Sequence, residues 1–468
     1  MARHYSLETA LLDDGWTNDV LVDVSDDGYI SAIDAAHAPS EDPKAAGVEQ
    51  VAGIVVPGMP NGHSHAFQRA MVGQSEYRSS AHDSFWTWRN AMYSLANRID
   101  ADDLQVVATQ LFIEMLKAGY TSVAEFHYLH RQLGGEHYRG ANALWEAVAA
   151  AAAAAGIGLT FLPTLYQTAD FDAAPLRREQ RRFAADTDWF VRAIESRLAA
   201  EKRGACAVTR TGAAFHSLRA VPLDALHAAT GALRALDAAM PLHIHVAEQV
   251  KEVETCERIT GRRPIELLLD TGLLDRHWCL VHATHATVAE LRGVAAAEAT
   301  LCVSITTEAN LGDGFFGAER FLSLAGRLCV GSDSQATVCP AEELRWLEYQ
   351  QRLLERRRGV FAGDGDTHVG TRLWRDAARH GAQAVGQAVG TIGVGRRADW
   401  LVLDNQHPSM AGATPHTALD HLLFAGASAA IRDVMVAGRW VVKDHRHPAE
   451  QPLRGRFHDT MARLRAPA

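Results

Sequence analysis

The stretch Val55-Val56-Pro57-Gly58-Met59-Pro60-Asn61-Gly62-His63-Ser64-His65-Ala66-Phe67-Gln68-Arg69 decides how the chain is read. A short β-branched run stops at a Pro-Gly break and delivers two histidines. If Ile54 to Pro57 is a strand whose extended backbone continues past the break, residues two apart point to the same side. His63 and His65 can then share one ion. A His-x-His pair alone fits an ordinary loop equally well, so its meaning depends on whether other metal-binding side chains recur at matching places.

Downstream of this stretch, apolar strands alternate with longer helical segments. Eight candidate strands begin near Gly53, Thr121, Gly158, Gly204, Pro241, Trp278, Thr300 and Arg327. Helical patterns such as Ala101 to Lys117, Ala141 to Ala155, Pro222 to Ala239, Ala286 to Ala296 and Ala341 to Arg356 separate them. The α/β alternation predicts a parallel sheet with crossover helices, here a (β/α)8 TIM-like barrel over residues 57–384. The two chain ends read differently. Residues 18–30 give an extended run, an Asp-Asp-Gly turn and a second extended run, and Ala398 to Asp404 and Asp433 to Val442 repeat that β-hairpin character. Residues 1–56 and 385–468 are therefore expected to build one small β-sandwich domain together.

Bulk properties narrow the partners. The chain has 468 residues, is 47% hydrophobic and 22% charged, and carries a formal charge of −10, which leaves no basic footprint for nucleic acid or an anionic membrane surface. A small molecule is the expected partner. Met1 to Leu12 lacks the apolar run of a secretory signal, and the alanine-rich Ala147 to Ala155 is too short to span a bilayer and reads as a helix end capped by Gly156. A cytoplasmic protein is expected. Six cysteines (Cys206, Cys256, Cys279, Cys302, Cys329, Cys339) include no Cys-x-x-Cys pair, which argues against a disulfide framework or a cysteine-rich zinc site. Cys279, Cys302 and Cys329 lie in apolar runs and behave there as small hydrophobes.

In a barrel, active sites form where strands end and βα loops begin. The polar residues collect at those places. The first strand ends at His63 and His65, the second (Thr121 to Phe126) at His127 and Tyr128, and the fourth near His216 and Arg219. The fifth, Leu242 to Ala247, ends at Glu248; the sixth delivers His282 and the eighth Asp333. His63, His65, one histidine of His243-Ile244-His245 and Asp333 form a set suited to Zn²⁺ or a similar divalent ion with a position left for water. His245 is preferred because it stands three residues before Glu248, while His243 shares its strand face and reads as a core or supporting histidine. Asp333 within Gly-Ser-Asp-Ser also suits a helix cap. A metal with an open position lowers the pKa of the water it holds. Asp333 could accept that water's proton, His282 could orient the attacking oxygen, and Glu248 could protonate a substrate nitrogen, a set suited to attack on a C=N carbon with loss of ammonia.

These residues resemble the amidohydrolase superfamily, from the barrel through the split β-domain. The segments His63-Ser64-His65-Ala66-Phe67-Gln68-Arg69, Phe85-Trp86-Thr87-Trp88-Arg89, Glu125-Phe126-His127-Tyr128, His216-Ser217-Leu218-Arg219-Ala220, His243-Ile244-His245-Val246-Ala247-Glu248-Gln249, His282-Ala283-Thr284-His285 and Gly331-Ser332-Asp333-Ser334 together resemble, more narrowly, the formimidoylglutamate deiminase family of histidine degradation. The resemblance implies hydrolysis of N-formimidoyl-L-glutamate to N-formyl-L-glutamate and ammonia, with one zinc per chain held by His63, His65, His245 and Asp333. It implies substrate contacts from Gln68, Arg89, Tyr128, His216 and Arg219, and a homodimer. Two arginines suit a dicarboxylate, because a guanidinium fork pairs with carboxylate bidentately. Where the family often has His after Gly-Ser-Asp-Ser, this chain has Gln335, which hydrogen-bonds but does not titrate near neutrality. Some superfamily members bridge two metals with a carboxylated lysine on the fourth strand; Lys202 falls before that strand, so one metal is expected. The competing expectations are another mononuclear aminohydrolase acting on a purine, a pyrimidine or a different amidine, and a metal-binding barrel without catalysis.

Overall fold

Four strands precede the barrel: β1 (Arg3–Leu12), β2 (Gly15–Val24), β3 (Ile30–Asp34) and β4 (Val48–Pro57). At Pro57-Gly58 the chain passes from one sheet to another, and β5 (Met59–Ser64) opens the barrel. The flanking peptide groups bond in opposite directions: Gly58 N–H donates to Asp399 O (3.1 Å) in the small sheet's territory, and Met59 N–H to Gly119 O (3.0 Å) at the head of the next barrel strand. Glycine is required here, since a Cβ on residue 58 would stand 2.3 Å from Thr121 Cγ2. The expectation of a barrel strand starting near Gly53 is thereby corrected. Ile54 to Pro57 belongs to the small sheet, and the apolar run gives no sign of the transfer because both sheets are buried at that point.

The computed structural model describes residues 3–35, 47–74, 76, 85–140, 142–203, 209–363 and 365–466. After β5 come helices α1 (Phe85–Ala96) and α2 (Ala101–Ala118), β6 (Tyr120–His127), α3 (Ala143–Ala155), β7 (Gly158–Leu165) and a three-residue strand β8 (Thr209–Thr211). Then follow β9 (Ala213–Ser217), β10 (Leu242–Val246), β11 (Trp278–His282), β12 (Thr300–Val303) and β13 (Arg327–Val330), with helices between them. Strands β5, β6, β7, β9, β10, β11, β12 and β13 are hydrogen-bonded in that order, and β8 pairs with β7 alone. The fourth barrel strand is β9, later than its expected start; Gly204, Cys206 and Ala141 lie outside the described residues. The ring closes through a parallel bridge between Ser64 and Asp333, reinforced by the N–H groups of Ser332 and Asp333 donating to His63 O (3.0 Å each). A (β/α)8 barrel results, closed at the first histidine pair.

Strands β14 (Trp400–Leu403), β15 (Ile431–Val436) and β16 (Arg439–Val442) return to the N-terminal strands, giving one path β16-β15-β14-β4-β1-β2-β3 built from both chain ends. Side chains alternate across it as strand geometry demands. Val55, Trp400, Val402 and Met435 enter the small domain's own core, whereas Ile54, Val56, Leu401, Leu403, Val434 and Val436 join the barrel's. The helix starts are set by local capping: Asp100 accepts from Asp103 N–H ahead of α2, and Asn142 accepts from Leu144 and Trp145 N–H ahead of α3, which ends at Gly156 in the left-handed region. Cys256, Cys279, Cys302, Cys329 and Cys339 are buried free thiols.

Candidate active site

Strand β5 presents His63 and His65, and β10 presents His245 beside them. His63 Nε2 lies 3.1 Å from His65 Nε2 and 3.0 Å from His245 Nε2. The other ring nitrogens of the latter two bond carbonyls, His65 Nδ1 to Phe126 O (2.8 Å) and His245 Nδ1 to His216 O (2.9 Å). A carbonyl only accepts, so each Nδ1 carries the proton and each Nε2 turns a lone pair inward. His63 has one Nε2 to offer against two such lone pairs, and no placement of its single proton satisfies both contacts. A cation at their centre does. Asp333 Oδ1 completes the group at 3.3 Å from His63 Nε2 and 3.4 Å from His65 Nε2. Ligand atoms about 2.1 Å from a zinc ion and separated by angles of roughly 90–110° stand ~3.0–3.4 Å apart, the spacing found here. His243 is elsewhere: its Nε2 bonds Ala384 O (2.8 Å) beneath the cluster.

Burial keeps the imidazoles neutral, as metal ligation requires, with His63 pushed down to about 3 and His65 and His245 also lowered. For Asp333 burial acts in the opposite sense, but the His63 hydrogen bond and the His282 and His65 rings outweigh it and hold the carboxyl below the usual range. The supports are buried polar groups. Glu125 accepts from Ser64 Oγ (2.8 Å) and Ala66 N–H (2.6 Å), and Gln335 Nε2 donates to Asp333 O (2.6 Å) and Ser64 Oγ (3.1 Å). Gly331 allows the last strand to close against the first, since a Cβ there would stand 2.8 Å from His63 Cβ. Ala247, His282, Asp333 and Gln335 all have φ between 44° and 71°. Four non-glycine residues held in the left-handed region at three strand ends mark stored backbone strain around the site.

His282 links the acids. Its Nε2 lies 3.8 Å from Glu248 Oε1 and 3.9 Å from Asp333 Oδ2, while Nδ1 meets Glu308 Oε1 at 3.3 Å. Burial disfavours its charge, but Glu248, Glu308 and Asp333 together raise it to about 10. Glu252 accepts the N–H groups of Ala247 (3.3 Å) and Glu248 (3.1 Å) and so fixes the turn that presents Glu248. Burial pushes the Glu248 carboxyl upward, against the pull of His282.

These groups open into a cavity lined by Gln68, Arg89, Tyr128, His216 and Arg219 together with His65, His245, Glu248, His282 and Asp333. His63 stands behind them with no exposed surface. Gln68 Nε2 donates to Tyr128 OH (2.8 Å), and His216 lies against Tyr166, ring centroids 4.5 Å apart. Arg89 sits over the Trp86 ring at 4.4 Å, with Nε unbonded; Arg219 is buried, also with Nε unbonded. Among the described residues no acid forms an ion pair with either arginine. Lys202 lies in the helix Thr187–Arg203 and takes no part.

Residues 54–441 match the model of the Amidohydrolase family. The chain belongs to the amidohydrolase family. It is 46% identical over 457 residues, 98% of each chain, to formimidoylglutamate deiminase of Pseudomonas aeruginosa. It is 25% identical to 5-methylthioadenosine/S-adenosylhomocysteine deaminase of Shouchella clausii, over 90% of this chain and 89% of the relative. The crystal structure of an amidohydrolase from Brucella melitensis superposes with a TM-score of 0.92 at 38% identity, covering 99% of this chain and all of the other.

Within this amidohydrolase the pocket also holds Tyr93, Tyr166 and Phe183, none of which the sequence singled out. Tyr166 directly follows the end of β7, the same strand-end position that pointed to His127 and Glu248, so that signal was available. Tyr93 lies on α1, and Glu308 lies in the helix Ile305–Leu311; neither has a sequence signal of that kind.

Proposed function

We infer that the protein hydrolyses N-formimidoyl-L-glutamate to N-formyl-L-glutamate and ammonia, with one zinc ion held by His63, His65, His245 and Asp333. The observation that carries this reading is the pair Arg89 and Arg219, two guanidinium groups that line the same cavity as the histidine cluster and form no ion pair among the described residues, with the more distant Glu252 and Glu248 charges holding Arg219 cationic. A ligand with two carboxylates supplies what both lack. The Pseudomonas aeruginosa relative supports the same substrate.

Bound zinc would supply an activated water close to the amidine carbon. Asp333 is placed to accept a proton from the attacking water, and His282, within 4 Å of both Asp333 and Glu248, orients the oxygen between them. Glu248, whose carboxyl burial raises to about 7 against the pull of His282, can carry a proton near neutrality and is placed to pass it to the substrate nitrogen. The proton held by Asp333 then passes to the amine and the adduct's hydroxyl proton returns to the Glu248 carboxylate, so the C–N bond breaks, ammonia leaves and the formyl oxygen is the one that entered from water. Arg89 and Arg219 bind the two carboxylates, and Gln68, Tyr128 and His216 orient the chain between them.

The proposal sets the enzyme in histidine degradation, in the cytoplasm and as a homodimer. No helix among the described residues is long and apolar enough to cross a membrane. An exposed apolar face on the helix Pro340–Glu355, with Trp346, Tyr349, Leu353 and Leu354, supports association with a second copy. A ring-deaminating reading draws on the Shouchella clausii relative, but a neutral ring has no carboxylates to meet two arginines that form no ion pair of their own. The test is ammonia release by zinc-loaded protein from N-formimidoyl-L-glutamate beside guanine, cytosine, 5-methylthioadenosine and N-formyl-L-glutamate. Release from the first alone, abolished by chelation, is expected. Turnover of a ring substrate instead would overturn the roles of both arginines.

A further inference from the structure

Helix α1 stands outside the ring of barrel strands and yet carries Arg89 to the cavity, so something must hold it in register with the barrel mouth. The short helical turn Arg178–Phe183 does so from behind. Arg182, fully buried and in no ion pair among the described residues, donates to three carbonyls: Ala96 O and Ile99 O (the latter at 2.7 Å) at the C-terminal end of α1, and Arg131 O (3.0 Å) beyond β6. Arg182 O in turn accepts the N–H groups of His130 (2.8 Å) and Arg131 (3.1 Å). Asn97 Nδ2 reaches Glu179 O (2.8 Å). The same turn also reaches toward the cavity. Gln180, 2% exposed, donates through Nε2 to Tyr166 OH (2.8 Å) at the end of β7 and to Tyr93 OH (3.3 Å) on α1. Tyr93 lies one helical turn after Arg89, whose guanidinium carbon is 5.6 Å from its ring.

We propose that Gln180 is a positioning residue for substrate recognition: by joining Tyr93 to Tyr166 it fixes where α1, and with it Arg89, stands against the barrel. Gln180 does not line the cavity, so it acts only through the two phenols. Its amide hydrogen-bonds both a barrel-strand end and the helix bearing Arg89 at the level of the cavity, where another link is the longer contact of Tyr128 OH with Met92 Sδ (3.9 Å). Without it the phenols lose a common donor, and Arg89 samples positions from which its fork no longer meets a carboxylate. Ground-state binding and transition-state binding weaken alike, because the carboxylate is remote from the reacting carbon. The loss therefore falls on KM and leaves kcat nearly intact.

The inference rests on the deiminase reading for its substrate but not for its geometry, and the test separates the two. Gln180→Met keeps the length and removes the donor; Arg182 variants, which would strand three carbonyls, are avoided. On zinc-loaded full-length protein, Gln180→Met is expected to raise KM for N-formimidoyl-L-glutamate about tenfold with kcat within about twofold. Adding Tyr166→Phe to Gln180→Met should cost no more than the larger single change, because both remove the same bridge. Hydrogen exchange of amides 89–97 should quicken about fivefold or more while β5 and β6 stay protected. Unchanged exchange over 89–97, strictly additive effects, or a fall in kcat at constant KM would overturn the assignment. Should the unaltered protein leave N-formimidoyl-L-glutamate untouched, the substrate reading fails by itself, and the exchange result still decides the role of Gln180.

Discussion

Replacing Arg89 with Met should separate recognition from stability. Within the protein the Arg89 guanidinium has few favourable contacts: it lies 4.4 Å over Trp86 and 5.6 Å from Tyr93, its Nε bonds nothing, and burial and the like charge of Arg219 lower its pKa. The cation–π contacts are worth about 1 kcal/mol, and their loss is offset by removing a partly buried charge without a counterion. Stability should stay within about 1 kcal/mol of the parent. Bound substrate is different. A carboxylate gripped by the fork accepts two charge-assisted hydrogen bonds of roughly 1.5–3 kcal/mol each, and discounting for solvent at the cavity mouth leaves about 3 kcal/mol. At about 1.4 kcal/mol per decade that is a ~100-fold loss in kcat/KM, carried by KM. Steady-state ammonia release and a thermal melt at equal zinc loading measure both quantities. Arg89→Lys, which keeps the charge without the fork, should recover about tenfold of the loss. An unaltered KM, or a melt lowered in proportion to the activity, would refute the idea that Arg89 waits for a ligand.

Three further outcomes follow from the same geometry. Asp333→Ala should leave the three imidazoles together but lower zinc retained after dialysis, measured by elemental analysis, by about 10-fold or more; full retention would remove Asp333 from the ligand set. Glu125 is raised by burial to about 8 from an ordinary 4.5, despite bonds from Ala66 and Ser64. Its folded form holds a proton that the unfolded form releases, so its stabilising share is complete below about pH 4.5 and is lost as pH rises through about 8. Glu125→Gln should flatten the decline in denaturant stability between those limits, and an unchanged slope would exclude Glu125 as its source. Gly331→Ala places a methyl 2.8 Å from His63 Cβ, which should destabilise the fold by about 1–3 kcal/mol and reduce zinc occupancy; a variant melting like the parent would mean the seam is looser than drawn.

The barrel and the polar groups at its strand ends are legible in the sequence for a physical reason. Chemistry-bearing side chains sit at the ends of apolar strands, so His63, His65, His245, His282 and Asp333 interrupt runs that are otherwise buried and stand out by contrast. The transfer at Pro57-Gly58 is hidden for the opposite reason. Ile54, Val56 and Met59 are equally apolar whether they face the small sheet's partner or the barrel's helices, and hydrogen-bond direction leaves no trace in residue type. The late start of the fourth strand escaped as well, because the strand pattern does not distinguish the stub Thr209–Thr211 from Ala213–Ser217. The supporting shell is the least legible part. Glu125, Glu252, Glu308, Gln180 and Arg182 belong to residue types that are usually solvated, and only the fold reveals that all are buried with backbone or hydroxyl partners. Gln335, which departs from the family's usual histidine, donates an amide N–H to the Asp333 carbonyl, a bond that needs no titrating group.

The closure of the ring at the first histidine pair has a consequence in time. Gln335 bonds Ser64 across 271 residues of chain, and His245 meets His63 across 182. During synthesis at about 5–20 residues per second, His63 and His65 leave the ribosome on the order of tens of seconds before Asp333 exists. A bare histidine pair in that interval would favour copper over zinc on affinity alone. With the carboxylate on the last strand and the third imidazole midway, the proposed coordination shell would be complete only once the barrel is. On that proposal the ion would be chosen by a finished cavity of set size rather than by whichever metal reaches the nascent histidines first.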